Sequence, residues 1–149
     1  MIALIQRVTS ARVVIGSQTR GQISTGLLAL IGMERHDDAS LIVRLLDRLL
    51  EFRVFPDPDG RMNLSLRDVR GGLLLVPQFT LAADTRSGHR PGFSTAAEPA
   101  LARDLFEQFL AAARAAHPEV ASGEFGAHMQ VSLTNDGPVT FWLQVPPKA

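Results

Sequence analysis

Residues 26–52, GLLALIGMERHDDASLIVRLLDRLLEF, decide the fold class because the period of their apolar positions changes half-way. Residues 26–33 form a short continuous apolar run, which is typical of a strand buried on both faces. The second half repeats apolar residues at helical spacing, which predicts an amphipathic helix. Its apolar stripe comprises Leu41, Ile42, Leu45, Leu46, Leu49 and Leu50. We expect Asp37, Asp38 and Ser40 to cap this helix and to place negative charge at its start.

Working outward, the preceding and following segments predict further strands. Residues 2–23 are rich in β-branched residues on both sides of Gly16-Ser17, which predicts a hairpin. Residues 55–61, FPDPDGR, predict a proline-glycine turn. Residues 71–82 predict a strand that is interrupted or ended at Pro77, and a loop follows it.

The C-terminal third predicts a second helix and two more strands. One face of that helix would carry Leu101, Leu105, Phe109 and Ala112. The segments HMQVSLTN (128–135) and VTFWLQV (139–145) predict strands on either side of a Gly-Pro step. The order of elements therefore predicts one α+β domain over residues 1–149. We expect a largely antiparallel or mixed, barrel-like β-sheet with two main helices packed on it.

Composition excludes several classes of chemistry. The 149 residues include 15 basic and 15 acidic side chains, so the formal net charge is zero. That balance argues against binding nucleic acid by bulk charge alone, although a local basic site or a strand end remains open. The absence of cysteine excludes disulfides, thiolate nucleophiles and Cys-zinc sites. Lys148 is the only lysine, which argues against Schiff-base chemistry.

The four histidines and the hydropathy pattern suggest neither a metal site nor a membrane span. His36, His89, His117 and His128 do not form a metal-binding spacing. We expect His36 and His117 on the surface beside helices, and His128 as a polar strand residue. No signal-peptide pattern opens the chain and no apolar run is long enough to cross a bilayer. We therefore expect a soluble, cytoplasmic protein.

The stretch PQFTL, residues 77–81, ends an apolar strand with groups that could act on an ester. Gln78 has hydrogen-bond donors and acceptors, and the Thr80 hydroxyl could attack, orient water or bind an ester oxygen. An ordinary strand end with a β-forming threonine fits the same pattern. A polar loop follows, which contains Asp84, Arg86, His89 and Arg90. An arginine in this loop could meet a phosphate, or the loop could simply be solvated.

The stretch TNDGPVT, residues 134–140, offers a second candidate. If its Gly-Pro peptide were cis, two carbonyl oxygens would point the same way and form a rigid acceptor pair. Only about 5–6% of X-Pro peptides are cis, so the pattern alone favours a trans turn between two strands.

Together, three stretches resemble the D-aminoacyl-tRNA deacylases: MIALIQRVTSA (1–11), PQFTLAADTRSGHRPGFS (77–94) and FGAHMQVSLTNDGPVTFW (125–142). The resemblance covers essentially the whole chain, in order. It implies a cytoplasmic homodimeric ester hydrolase that releases D-amino acids from the terminal ribose of tRNA. The family also acts on the glycyl ester, as when glycine is mischarged on tRNA-Ala. No metal or organic cofactor is implied.

The resemblance also assigns the gate and the catalytic motif. It implies that the peptide between Gly137 and Pro138 is cis and reaches into the partner subunit's site, where its carbonyls exclude L-amino acids. A backbone wall of this kind can reject every L side chain while it accepts many D side chains. Gln78, Phe79 and Thr80 would surround the scissile ester as the catalytic motif.

The resemblance further implies substrate-binding roles for Phe125, Met129 and Asn135. Phe125 and Met129 match positions near the adenine of the terminal nucleotide, where an aromatic ring and a thioether suit a base face.

Two mechanisms are compatible with these residues. Thr80 could be a nucleophile, although the sequence identifies no adjacent base. Alternatively, the ribose 2′-hydroxyl could activate water while backbone amides near Phe79 and Thr80 stabilise the oxyanion, which we favour.

Three positions depart from the pattern of the family. Pro77 stands where serine is common, His128 where aspartate is expected, and Thr134 where an apolar residue is usual. Proline at that place is similar to a sister group with relaxed chirality, but Phe79 and the complete NDGPVT segment match the strict D-specific enzymes. Two alternative functions follow: a non-catalytic module that binds the tRNA 3′ end, and a deacylase with relaxed chirality.

Overall fold

The computed structural model describes residues 1–147, so Lys148 lies outside the described residues. The strands are β1 (Ile2–Ile15), β2 (Gln18–Ile23), β3 (Gly26–Gly32), β4 (Phe55–Pro56), β5 (Met62–Leu64), β6 (Gly72–Pro77), β7 (Val120–Ser122) and β8 (Gln130–Gln144). The helices are α1 (Ser40–Glu51), α2 (Leu66–Val69) and α3 (Pro99–Ala116), and a 3₁₀ turn covers Phe79–Ala82. None of the helices within residues 1–147 is both long and apolar enough to span a bilayer.

The main sheet has six strands and is organised around β1. β1 pairs antiparallel with β2, β3 and β8, whereas β3–β6 and β6–β7 are parallel pairs. β2 also contacts β6 and β7, so the sheet curls toward a closed barrel. The predicted α+β class, with a mixed barrel-like sheet and two main helices, is confirmed. The predicted hairpin around Gly16-Ser17 is also confirmed, and the 55–61 turn joins the small β4–β5 pair.

Strands β3 and β6 are apolar throughout because each faces two cores. On β6, Leu73 and Leu75 pack with the helices, while Leu74 and Val76 point into the barrel interior. The predicted burial of β3 on both faces is confirmed in the same way, with Leu27 on the helix side and Leu28 inside the barrel. Central parallel strands covered on both faces carry continuous rather than alternating apolar runs.

The two main helices cover one face of the sheet. The predicted stripe of α1 is buried in full. The predicted face of α3 is partly wrong, since Leu101 is 38% exposed and Ala112 is only partly buried. The buried side of α3 is formed by Ala102, Leu105, Phe106, Phe109 and Ala113. Turning the helix so that both phenylalanines are buried removes more apolar surface from water than burying Leu101 would.

The predicted capping of α1 is confirmed only in part. Asp38 accepts a hydrogen bond from the first amide of the helix at 2.8 Å, whereas Asp37 has other partners. Ala39 is the N-cap and provides no side-chain hydrogen bond. The carboxylate of Asp37 accepts hydrogen bonds from the Met1 ammonium at 2.8 Å and from the Glu34 amide at 2.7 Å. Burial raises the pKa of Asp37, and the hydrogen bonds from the ammonium and the amide oppose that rise. A buried ammonium without a counter-charge would cost much free energy, whereas water can bind the amides at the solvated start of the helix. The carboxylate therefore pairs with the ammonium.

The two strands predicted around the Gly-Pro step form one continuous strand, β8. Its register on β1 moves from Thr140 opposite Gln6 to Asn135 opposite Val8, so residues 136–139 bulge from the ladder. The peptide between Gly137 and Pro138 is cis. A proline has no N–H to donate to the ladder. Residues in a bulge lie outside the regular ladder, so no hydrogen bond from Pro138 is needed there.

Two histidine predictions are wrong. His117, expected on the surface, is only 4% exposed, and its Nε2 lies 2.6 Å from the Gly71 carbonyl oxygen. This contact ties the C-terminal end of α3 to the start of β6. His128, expected in a strand, is exposed and precedes β8.

Candidate active site

A cleft of about 400 Å³ opens at the carboxyl end of β6. It is lined by Pro77, Gln78, Phe79, Ala97, Pro99, Ala102, Phe125, Gly126, Ala127, Met129 and Val131. Four residues that the sequence predicted for the site therefore meet here: Gln78, Phe79, Phe125 and Met129. Ligand sites in sheet proteins often lie where strands end, and their volumes run from about 300 to 1,000 Å³.

The 3₁₀ turn after β6 shapes this end of the cleft. The Gln78 amide donates a hydrogen bond to the Ile31 carbonyl at 2.8 Å, which fixes the turn against β3. A Cβ at Gly32 would lie 2.9 Å from the Leu81 Cβ, so only glycine lets the turn pack this closely. The first amides of a helical turn have no partner within it. The N–H groups of Phe79 and Thr80 are in that position, and Phe79 also lines the cleft.

Thr80 is not among the residues that line this cleft. It borders a neighbouring depression of about 480 Å³, together with Glu34, Asp84 and Trp142 among others. Its hydroxyl accepts a hydrogen bond from the Gln78 side-chain amide. An amide N–H cannot remove the hydroxyl proton, so this contact does not activate Thr80 as a nucleophile.

Aromatic rings border the cleft. Phe79 is 54% exposed, and its ring centroid lies 5.3 Å from that of Phe93. Opposite, the guanidinium carbon of Arg103 lies 5.1 Å from the centroid of the partly buried Phe125 ring. Sequence reasoning missed Phe93 and Arg103. A lone phenylalanine within the polar loop could have indicated the first, but nothing in the sequence singles out Arg103 among the arginines.

The polar loop after the turn contains an ion pair that limits its chemistry. Arg86 donates two hydrogen bonds to the Asp84 carboxylate, from Nε at 2.8 Å and from Nη2 at 2.7 Å. These hydrogen bonds lower the pKa of Asp84 to about 2. The carboxylate is therefore charged at neutral pH and is a weak base, and Arg86 already has a partner. His89 and Arg90 are exposed in the same loop.

The bulge that carries Gly137 and Pro138 lies apart from the cleft of its own chain. No cleft-lining residue comes from positions 132–138. The Asn135 side-chain amide donates to the Arg7 carbonyl at 2.9 Å and to the Val139 carbonyl at 3.1 Å. Arg7 in turn forms an ion pair with Asp136, with Nε 3.1 Å from the carboxylate. The bulge is thus braced on β1 and exposed at its tip.

Within residues 1–147, no three His, Asp, Glu or Cys side chains are grouped so that they could hold a metal ion. The arrangement that remains is an apolar cleft next to a 3₁₀ turn whose first two amides, within residues 1–147, have no hydrogen-bond partner. Such a site can bind a flat apolar group and stabilise a developing negative charge beside it.

The model of the D-Tyr-tRNA(Tyr) deacylase family matches residues 4–144. The chain belongs to this family. It is therefore a deacylase, and deacylases are hydrolases. The resemblance identified from the sequence is confirmed.

Relatives of the deacylase match it along its full length. It is 60% identical over 147 residues to the D-aminoacyl-tRNA deacylase of Thioalkalivibrio sulfidiphilus, with 99% of each chain covered. It is 62% identical over 144 residues to the D-aminoacyl-tRNA deacylase of Azotobacter vinelandii, covering 97% of this chain and 99% of the relative.

Solved structures agree with the fold of the deacylase. The c-Myc DNA unwinding element binding protein superposes with a TM-score of 0.94 at 34% identity, covering 99% of this chain and 100% of that one. A probable eukaryotic D-amino acid tRNA deacylase superposes with a TM-score of 0.84 at 16% identity, covering 97% and 98%. The second likeness concerns the fold alone.

Proposed function

We propose that this deacylase hydrolyses the ester between a D-amino acid and the terminal ribose of tRNA, and also that of glycine mischarged on tRNA-Ala. The observation that carries the proposal is the juxtaposition, at the end of β6, of an apolar cleft with the free amides of Phe79 and Thr80. Charged tRNA is made and used in the cytoplasm, which is where we place the enzyme. The reaction as we describe it needs no metal or organic cofactor.

The cleft would hold the 3′-terminal adenosine. Phe125 and Met129 give it a flat and polarisable wall, which suits the face of a base. Phe79 offers a further ring at the mouth, and Asn135 would act from beside the bulge of the partner subunit. Binding only the end of the tRNA is compatible with a chain of zero net charge, because few phosphates need to be contacted.

The chemistry would rest on backbone and substrate groups. Water, oriented by the ribose 2′-hydroxyl, adds to the ester carbonyl, and the amides of Phe79 and Thr80 stabilise the resulting oxyanion. The bond from the carbonyl carbon to the ribose 3′-oxygen then breaks, and that oxygen takes up a proton. The products are the free amino acid and tRNA with its terminal hydroxyl restored.

Selection against L-amino acids would come from a second copy of the chain. β8 pairs only with β1 among the described residues, so its other edge is unpaired, and the strand also exposes the large apolar side chains of Leu133 and Trp142. A long free edge strand favours pairing with another chain. The bulge of β8 lies apart from its own cleft, which supports a homodimer in which Gly137 and Pro138 enter the partner's cleft.

The test is hydrolysis of matched D-Tyr-tRNA, L-Tyr-tRNA and Gly-tRNA by the purified, metal-free protein. We expect rapid loss of the D and glycyl esters while the L ester is spared. Hydrolysis of both the D and the L ester would indicate a deacylase with relaxed chirality, and Pro77→Ser would be the first variant to measure. No hydrolysis by the folded protein would overturn the proposal in favour of a module that binds the tRNA end.

Thr80→Ala is expected to retain activity within about 10-fold of wild type, because Thr80 is not among the residues that line the cleft and, within residues 1–147, its hydroxyl is hydrogen-bonded to the Gln78 amide and not to a base. The measurement is kcat/KM for D-Tyr-tRNA, with thermal unfolding as a check on the fold. Gln78→Ala serves as the comparison, since it removes the amide that holds the Thr80 hydroxyl. Complete loss of activity in a folded Thr80→Ala variant would instead establish Thr80 as the nucleophile.

A further inference from the structure

Arg103 is a cation held against two residues that line the cleft. It follows Ala102, which lines the cleft from the first turns of α3. Its guanidinium lies 5.1 Å above the ring of Phe125, another lining residue. One of its nitrogens, Nη2, lies 3.5 Å from the position that a Cβ on Gly126 would occupy. Contact with an aromatic face holds a guanidinium in place and leaves its N–H donors available.

The charge of Arg103 is not neutralised by a neighbour. Within residues 1–147, Arg103 forms no ion pair, and its guanidinium donates no hydrogen bond to another protein group. The adjacent carboxylate, that of Asp104, accepts a hydrogen bond from Gln108 at 2.9 Å. Arg86, by contrast, is paired with Asp84. Arg103 is thus an exposed, oriented and unpaired cation beside the cleft.

We propose that Arg103 binds the phosphodiester that joins the terminal adenosine to the preceding nucleotide. This inference rests on the proposed function, in which adenosine occupies the cleft. A space of about 400 Å³ holds one nucleoside and not the rest of the tRNA. The 5′-phosphate must therefore extend out of the cleft, and the exposed Arg103 beside Phe125 presents the donor geometry that phosphate oxygens accept.

A purely structural role for Arg103 makes a different prediction. If the guanidinium only buttressed Phe125 and Gly126, its loss would affect every substrate equally. If it binds the phosphate, its loss affects only substrates that carry the phosphate. Arg103→Gln removes the charge, whereas Arg103→Lys keeps the charge but loses the planar fork.

The experiment compares two small substrates. One is 3′-O-(D-phenylalanyl)adenosine, and the other is the same ester with a 5′-methyl phosphodiester. The measured quantity is the ratio of kcat/KM for the phosphodiester to kcat/KM for the nucleoside. We expect Arg103→Gln to lower this ratio about 3- to 10-fold, the range of a single charged contact at a partly exposed site. Arg103→Lys should keep most of the ratio.

Arg114→Gln is the matched control, since Arg114 is an exposed arginine near the other end of α3. It should leave the ratio at the wild-type value. With D-aminoacyl-tRNA, Arg103→Gln should also reduce the slope of log KM against log salt by about 0.7, the value for one phosphate contact on a single strand.

Two outcomes would overturn the inference while the proposed function stands. One is an unchanged ratio in a folded and active Arg103→Gln variant. The other is an equal loss with both substrates in the Gln and Lys variants, which would mean that Arg103 only supports Phe125. If wild-type protein hydrolyses neither small ester nor D-aminoacyl-tRNA, the proposed function itself fails and the inference falls with it.

Discussion

Gly137→Ala is expected to lower kcat/KM for D-Tyr-tRNA about 100-fold, the scale of loss when a positioning group is displaced by about 1 Å. A Cβ at Gly137 would lie 2.6 Å from the Asn135 side-chain oxygen. Asn135 cannot easily yield, because its amide nitrogen is held by the Arg7 and Val139 carbonyls. The bulge must therefore shift. Since its tip is exposed, the melting temperature should change little.

Gly92→Ala is the matched control for this variant. Its new Cβ would have only ordinary contacts, the nearest at 3.9 Å from Asp84, and it should keep wild-type activity. Wild-type activity of Gly137→Ala on D-Tyr-tRNA, with L-Tyr-tRNA still rejected, would show that the bulge is not the gate.

A heterodimer tests whether the bulge acts across subunits. Ala127→Trp would place an indole in the cleft, and Gly137→Ala disables the bulge. In a purified heterodimer of the two, a bulge that acts in the partner's cleft leaves one of the two sites intact, so about half of the wild-type activity should return. If the bulge acted on its own cleft, neither site would be intact and the heterodimer would be inactive.

Asp37→Asn is expected to reduce the free energy of unfolding by about 3 kcal/mol, because it leaves a buried ammonium without its main counter-charge. The Met1 ammonium and the Asp37 side chain are both fully buried, and they are 2.8 Å apart. Glu34 remains as a second and more exposed partner at 2.9 Å, which keeps the loss at the lower end of such cases. The melting temperature should fall by about 6–12 °C for a chain of this size.

The neighbouring residue provides the control for this stability measurement. Asp38 is exposed, and its carboxylate bonds only the nearby Ser40. Asp38→Asn should cost less than about 1 kcal/mol. The free energies of unfolding of both variants are measured by chemical denaturation at one protein concentration, because dimer formation would make stability depend on concentration. Equal losses in the two variants would mean that the buried ion pair contributes little.

Local patterns in the sequence were sufficient for the α+β class and for most of the elements. The apolar period predicted α1 with its complete buried stripe, and the uninterrupted apolar runs predicted strands covered on both sides. These features depend on near neighbours in the chain and on simple alternation, which a sequence displays directly. The motif residues Gln78, Phe79, Phe125 and Met129 were likewise selected from the sequence and resemblance, and the fold brings them into one cleft.

Two of the wrong predictions concern polar residues whose partners lie far along the chain. The sequence predicts that Asp37 caps a helix, but the buried ammonium of Met1 is its partner. It predicts that His117 lies on the surface, but His117 bonds a carbonyl 46 positions away. In both cases a buried polar group had to be satisfied, and only the folded arrangement reveals which group can do so.

By itself, the sequence determined the class of fold, the order of its elements and the family, since each follows from local periodicity or from motifs in a fixed order. Only the tertiary structure decided that Thr80 lies outside the lining of the cleft, that Arg103 lies over Phe125 with no ion-pair partner within residues 1–147, and that the Gly137 bulge lies apart from its own cleft. These are relations between elements distant in the chain. They are set by how the helices and the curled sheet pack, and packing depends on all the contacting surfaces at once.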